Sequence, residues 1–150
     1  MNHDEVEILL VEDNPDDVLL VCKAVQSTMA GIKIHVVGNG QEAIRYLEGE
    51  GPFGDRQSHP FPDIVLLDLK MPLVNGFEVL RWLRAQPRLK RLPVILLSGS
   101  AQQSDTVQAY ECGANSYLIK PSNFSDLLQT MKTVGDFWLG GTKLPESGAA

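Results

Sequence analysis

Three short runs of consecutive apolar residues constrain this chain more than any other feature: Ile8-Leu9-Leu10-Val11, Ile64-Val65-Leu66-Leu67 and, after Pro93, Val94-Ile95-Leu96-Leu97. Successive side chains of a strand point to opposite sides, so a strand apolar at every position must be covered on both faces. Two further segments read as strands, Ile32 to Val37 and Ser116-Tyr117-Leu118-Ile119. Between them lie stretches with helical spacing of apolar residues. Val18, Leu19, Val21, Cys22 and Val25 form one inner stripe, and Ala43, Ile44 and Leu47 a second. Phe77, Leu80, Trp82 and Leu83 form a third, and Phe124, Leu127, Leu128, Met131 and Val134 the last. A helix from about Gln102 to Cys112 is stopped by Gly113. Asn14 followed by Pro15 supplies a cap and a first helical residue, and Asn39-Gly40 and Asn75-Gly76 open two other helices. Five strands alternating with five helices predict an α/β fold: a parallel sheet with right-handed crossovers and helices on both faces.

At 150 residues the chain has room for one core and one domain. The folded unit is expected over residues 1–139, with residues 140–150 as a flexible tail. The Gly- and Pro-rich stretch Gly49 to Pro62 is a loop longer than most connections in compact domains. A net charge of −6 without a dense basic run argues against nucleic-acid binding. Arg81, Arg84, Arg88, Lys90 and Arg91 cluster within and just after the third helix, and read as a solvated face before a docking patch. Cys22 and Cys112 lack metal or redox spacing and read as small core residues, and His3, His35 and His59 lack ligand spacing too. No targeting signal and no membrane span is present in the sequence, which leaves the cytoplasm as the expected compartment.

In an open parallel sheet, ligands bind beyond the carboxyl ends of the strands. Those ends carry Glu12 and Asp13, Asp68, Ser98 and Lys120. Taken singly, each has a plain reading: an aspartate after a strand marks a turn, a serine starts a helix, a lysine is solvated. Together they supply what phosphoryl transfer needs. Crowded carboxylates call for a cation such as Mg²⁺, one carboxylate can act as nucleophile, and a lysine and a hydroxyl can meet the phosphoryl oxygens.

These residues, with Asp68-Leu69-Lys70-Met71-Pro72, Asn75-Gly76, Ser98-Gly99, Tyr117 and Lys120-Pro121, resemble the receiver domain of bacterial response regulators over roughly Val6 to Val134. The resemblance implies a flavodoxin-like, doubly wound five-stranded sheet of order 2-1-3-4-5. It implies that Asp68 accepts a phosphoryl group from a histidine kinase, and that Mg²⁺ is held by Asp13, Asp68 and the backbone carbonyl of Lys70, with Glu12 beside it. Lys120 would pair with the phosphoryl group, Ser98 stands where the family more often has threonine, and Tyr117 would turn inward with it. The Lys120–Pro121 bond is expected to be cis. Asn115-Ser116 departs from the family pattern, in which an acidic residue is frequent there, and Lys70 is expected to influence the lifetime of the acyl phosphate.

The long loop and the ending Phe137-Trp138-Leu139 are similar to those of small stand-alone response regulators paired with phytochrome kinases. That implies a sensor histidine kinase as partner, a phytochrome among the candidates, and output through a changed protein surface. A homodimer through the last helix and strand, with Trp138 at the contact, is the accompanying expectation. Two rivals remain: a receiver-like adaptor that takes no phosphate, and an aspartyl-phosphate phosphatase. The second lacks a placed general acid, because Lys70 and Pro15 occupy the positions two beyond Asp68 and Asp13. A nucleotide-binding domain would need a glycine-rich loop where Glu12-Asp13-Asn14-Pro15 stands.

Overall fold

The computed structural model describes residues 6–141 and 143–145. Most of the expected tail, residues 142 and 146–150, lies outside the described residues. Five parallel strands run in the order β2-β1-β3-β4-β5: β1 (Val6–Val11), β2 (Ile32–Val37), β3 (Ile64–Leu67), β4 (Val94–Ser98) and β5 (Ser116–Ile119). Five helices connect and follow them: α1 (Pro15–Thr28), α2 (Gly40–Glu48), α3 (Gly76–Ala85), α4 (Gln103–Glu111) and α5 (Phe124–Val134).

The alternation of side chains splits the apolar runs between two layers. Leu9, Val11, Val65, Leu67, Val94 and Leu96 pack against α2, α3 and Ala109 of α4. Ile8, Leu10, Ile64, Leu66, Ile95 and Leu97 pack against α1 and α5. Every residue of β3 and β4 is buried, as continuous apolar runs require. The edge strands β2 and β5 are only partly covered.

Asparagine opens four of the five helices. Asn14 accepts from the amides of Asp16 and Asp17, Asn39 from Glu42, Asn75 from Glu78 and Asn123 from Asp126, each satisfying amides the helix itself leaves unpaired. The exception is α4, which has no side-chain cap and buries only Ala109. A π-helical turn, Gly135–Gly141, continues α5, with Trp138 half-buried against the α1–α5 layer and Phe137 58% exposed.

Several expectations need correction. Leu19 is 67% exposed, because the buried stripe of α1 runs through Val21, Ala24 and Val25 and leaves Leu19 outside that arc. Cys22 and Cys112 are half-buried at the margins of the two layers, not fully inside. The stretch Gly49 to Pro62 is the long connection expected, with a short 3₁₀ turn, Gly51–Gly54, and it is pinned by Arg56, which donates to the carbonyls of Tyr46, Leu47 and His59. Arg84, however, is no solvated face residue. Its half-buried guanidinium donates to the carbonyls of Gly113, Lys90 and Leu92 and to Oδ1 of Asn115, tying α3 to the approaches of β4 and β5.

Candidate functional site

The carboxyl ends of β1, β3, β4 and β5 bring the expected residues to one edge of the sheet. Glu12 follows β1 and is 3% exposed, and Asp68 follows β3 and is 8% exposed. Exposed Asp13 completes a cluster in which one carboxylate oxygen from each of Glu12, Asp13 and Asp68 lies within 4.8 Å of the others. Lys120 reaches back from the end of β5. Its ammonium donates to Glu12 Oε1 at 2.6 Å and to Asp17 Oδ2 at 3.0 Å, and stands 4.0 Å from Asp68 Oδ1.

Backbone contacts fix these positions. The Asp68 amide donates to the Val11 carbonyl at 3.0 Å, extending the β1–β3 ladder by one residue. The Lys120 amide donates to the Ser98 carbonyl at 2.6 Å and does the same for β4 and β5. Gly76 opens α3 directly over the Asp68 peptide: a β-carbon there would come within 2.9 Å of Leu69 Cα, so no larger residue fits that approach.

The electrostatics record an excess of negative charge. Burial and then the neighbouring Glu12 push the Asp68 carboxyl up to about 7, while Lys120 and the Leu69 amide pull the other way. Burial works against the Lys120 ammonium, but hydrogen bonds to Glu12 and Asp17 and the charge of Asp68 outweigh it and raise its pKa. One ammonium among four carboxylates leaves the cluster short of positive charge, and a hard divalent cation fits such an oxygen donor set. Among the described residues no other group of carboxylate, histidine and cysteine side chains is arranged to hold a metal ion.

Ser98 is 1% exposed, and its Oγ accepts from the Ser100 amide at 3.2 Å. Tyr117 is half-buried, and its hydroxyl donates to the Ser100 carbonyl at 2.8 Å. Lys70 is exposed and lines a cleft with Leu69, Met71, Asn75, Phe77 and Asp105. The expected cis bond is corrected: every peptide bond among the described residues is trans, Lys120–Pro121 included. Trans is the lower-energy isomer of an X–Pro bond, and in it the Lys120 ammonium already contacts Glu12.

Two participants escaped the sequence. Asp17 was read only as part of the start of α1, and its signal was an acidic first helical turn directly after Glu12-Asp13. Ser100 donates its hydroxyl to Asp105 Oδ2 at 2.6 Å, joining the loop after Ser98 to uncapped α4.

Comparison with known proteins agrees with this geometry. The family model for the response regulator receiver domain matches residues 8–132, and the chain belongs to that family. The chain is 34% identical to the response regulator Rcp1 of Synechocystis sp. over 138 residues, covering 92% of each. A solved Mn(2+)-bound form of Rcp1 superposes with a TM-score of 0.84 over 93% of this chain and 99% of that one. The phosphorylated cyanobacterial phytochrome response regulator RcpA superposes with a TM-score of 0.88 at 37% identity, over 95% and 99%. FilR2 of Methanothrix harundinacea, a probable methanogenesis regulatory protein, is 38% identical over 92% of this chain and 86% of its own.

Proposed function

We propose that this chain is a phosphoacceptor switch in which Asp68 takes a phosphoryl group from a histidine kinase. The observation that carries this reading is the Asp68 carboxylate itself, 8% exposed at the tip of β3, grouped with Glu12 and Asp13 and 4.0 Å from the Lys120 ammonium. In the transfer, an Asp68 oxygen forms a bond to phosphorus as the phosphorus–nitrogen bond of the donor's phosphohistidine breaks, its electron pair staying on the imidazole. Asp13, Asp68 and the Lys70 backbone carbonyl would hold Mg²⁺, with Glu12 beside it. When bound, the ion would neutralise charge developing on the phosphoryl oxygens. The Mn(2+)-bound form of Rcp1 supports a divalent ion here.

Lys120 is placed to leave Glu12 and Asp17 for the phosphoryl oxygens, a rearrangement within one side chain's reach. Ser98, the last residue of β4, whose Oγ already accepts from the Ser100 amide, supplies a hydroxyl donor. Because Ser100 holds both the Ser98 hydroxyl and the Tyr117 hydroxyl, movement of one is transmitted to the other and to α4. The output is a changed surface around α4 and β5, and the reading is of a switch and not an enzyme acting on outside substrates. Its folded unit is taken to extend to residue 139, within the π-helical turn Gly135–Gly141.

The likeness to RcpA favours a phytochrome kinase as the donor. A second copy of the chain is the second partner, over a groove lined by Ser116, Leu118, Thr130, Val134, Phe137 and Trp138 beside edge strand β5. Acetyl phosphate with Mg²⁺ tests the central claim: the intact mass should rise by one phosphoryl group, and Asp68→Asn should abolish the gain. No gain in the wild-type chain would favour an adaptor that never takes phosphate.

A further inference from the structure

Leu73 combines two properties that a sequence would ordinarily avoid together. It is the one non-glycine residue at positive φ among the described residues, at 69°, and at 77% exposed it is the most exposed large apolar side chain among them. An exposed leucine alone needs no explanation. A leucine in the left-handed region does, because its β-carbon is forced toward the following carbonyl, whereas glycine or asparagine would hold the same turn at little cost. Nothing in the chain's own core recovers that cost, since the side chain points to solvent.

The surroundings hold the strain in place. The Gly76 amide donates to the Leu69 carbonyl at 2.9 Å, closing the base of the loop that carries Leu73 at its tip. The Val74 carbonyl is wedged into the space where Gly40 would carry a β-carbon, so the tip cannot unwind without moving α2.

The same contacts locate the tip. Leu73 is three residues from Gly76, hence within about 10 Å of it along the chain, and Gly76 packs on the Asp68 peptide. A phosphohistidine that reaches Asp68, itself only 8% exposed, must bring its own protein's surface down onto this rim. We propose that Leu73 is a docking residue for the protein that donates the phosphoryl group, its side chain entering an apolar depression beside the donor's phosphohistidine. The inference rests on the phosphoacceptor reading of Asp68 and adds a residue that selects the donor.

The test uses the whole chain, two phosphodonors and two variants. The protein donor is whichever kinase loads the wild-type chain fastest in a panel of purified, ATP-phosphorylated histidine kinases. Leu73→Asn should raise the melting temperature by about 2–4 °C, because strain is relieved. It should leave loading by acetyl phosphate unchanged, yet lower kcat/KM for transfer from the kinase about tenfold or more. Leu73→Met, which keeps an apolar side chain of similar reach, should retain kinase transfer. Equal rates for wild type and Leu73→Asn with both donors would overturn the proposal. So would slowing with both donors, which would place Leu73 in the chemistry, and so would a fall in melting temperature, which would show that the leucine packs on its own chain. A panel that fails to load a wild-type chain that acetyl phosphate does load would also overturn it. A wild-type chain that takes phosphate from neither source would instead remove the reading of Asp68.

Discussion

The Lys120 ammonium lies 2.6 Å from Glu12 Oε1 and 4.0 Å from Asp68 Oδ1, so the cation of the cluster is held by the carboxylate behind the proposed nucleophile. Asp68 is thereby left with more negative surroundings than its own pairing would suggest. Its pKa, pushed up to about 7 by burial and by Glu12, expresses that arrangement.

Removing this cation exposes its structural share. Glu12 is 3% exposed, and in Lys120→Ala it keeps only the Asn14 amide as a donor. Breaking a buried pair from one side costs about 3 kcal/mol or more, and the partly open site places this one near the lower end. Urea denaturation without divalent ions should show that loss, and millimolar Mg²⁺ should recover part of it.

The Asp68 shift has a definite sign with pH. Its folded-state value of about 7 exceeds the ordinary aspartate value of 3.8, so between them the folded chain binds more protons than the unfolded one. The stability that Asp68 contributes is therefore greatest at low pH and is lost as pH rises toward about 7. In metal-free buffer, Asp68→Asn should melt higher than wild type at pH 8, and the difference should shrink steadily on descending toward pH 4. A difference independent of pH would refute the assignment.

Gly40 should be sensitive although it touches no site residue. A β-carbon there would run into the Val74 carbonyl and come within 2.9 Å of Val79 Cγ2, both parts of the segment that follows Asp68. Gly40→Ala is expected to cost about 2 kcal/mol or more by overpacking. It should also weaken Mg²⁺ binding, measured by titration calorimetry, because the loop bearing Lys70 must shift.

Arg84→Lys should cost about 2–3 kcal/mol, since three backbone carbonyls and Asn115 lose donors that a single ammonium cannot replace. Chemical denaturation with an unchanged m-value would be the expected result, with phosphorylation by acetyl phosphate preserved.

If a second copy covers the groove beside β5, Trp138→Ala should shift the molar mass measured by light scattering toward that of the monomer. A variant that stays dimeric would confine Trp138 to its own helix, where it already packs against the α1–α5 layer.

Most of the fold was legible because continuous apolar runs permit few arrangements, and because Asn14, Asn39 and Asn75 mark helix starts at their own positions. The carboxylates, Ser98 and Lys120 were legible for a related reason: strand ends in a parallel sheet share one edge. What stayed hidden depended on long side chains crossing between elements. Asp17 meets Lys120 across 103 positions of sequence, and no local pattern encodes that. Arg84 looked like one of several surface basic residues until four oxygens were found around it. Leu19 was misplaced because the inward arc of α1, centred on Val21, Ala24 and Val25, takes in Val18 and leaves Leu19 on the opposite side of the helix.

The position of β3 carries a last consequence. It is buried at all four residues, with a strand on either side, whereas β5 has a neighbour on one side only. Amide hydrogen exchange should therefore be slowest in the strand that carries Asp68 and much faster in the strand that carries Tyr117 and precedes Lys120. In the proposed switch, the phosphoacceptor would be mounted at the tip of a stiff central strand, and Tyr117 and Lys120 on and just after a more compliant edge strand. A charge placed on Asp68 would then do its mechanical work outward, at the sheet's edge, while the centre holds still.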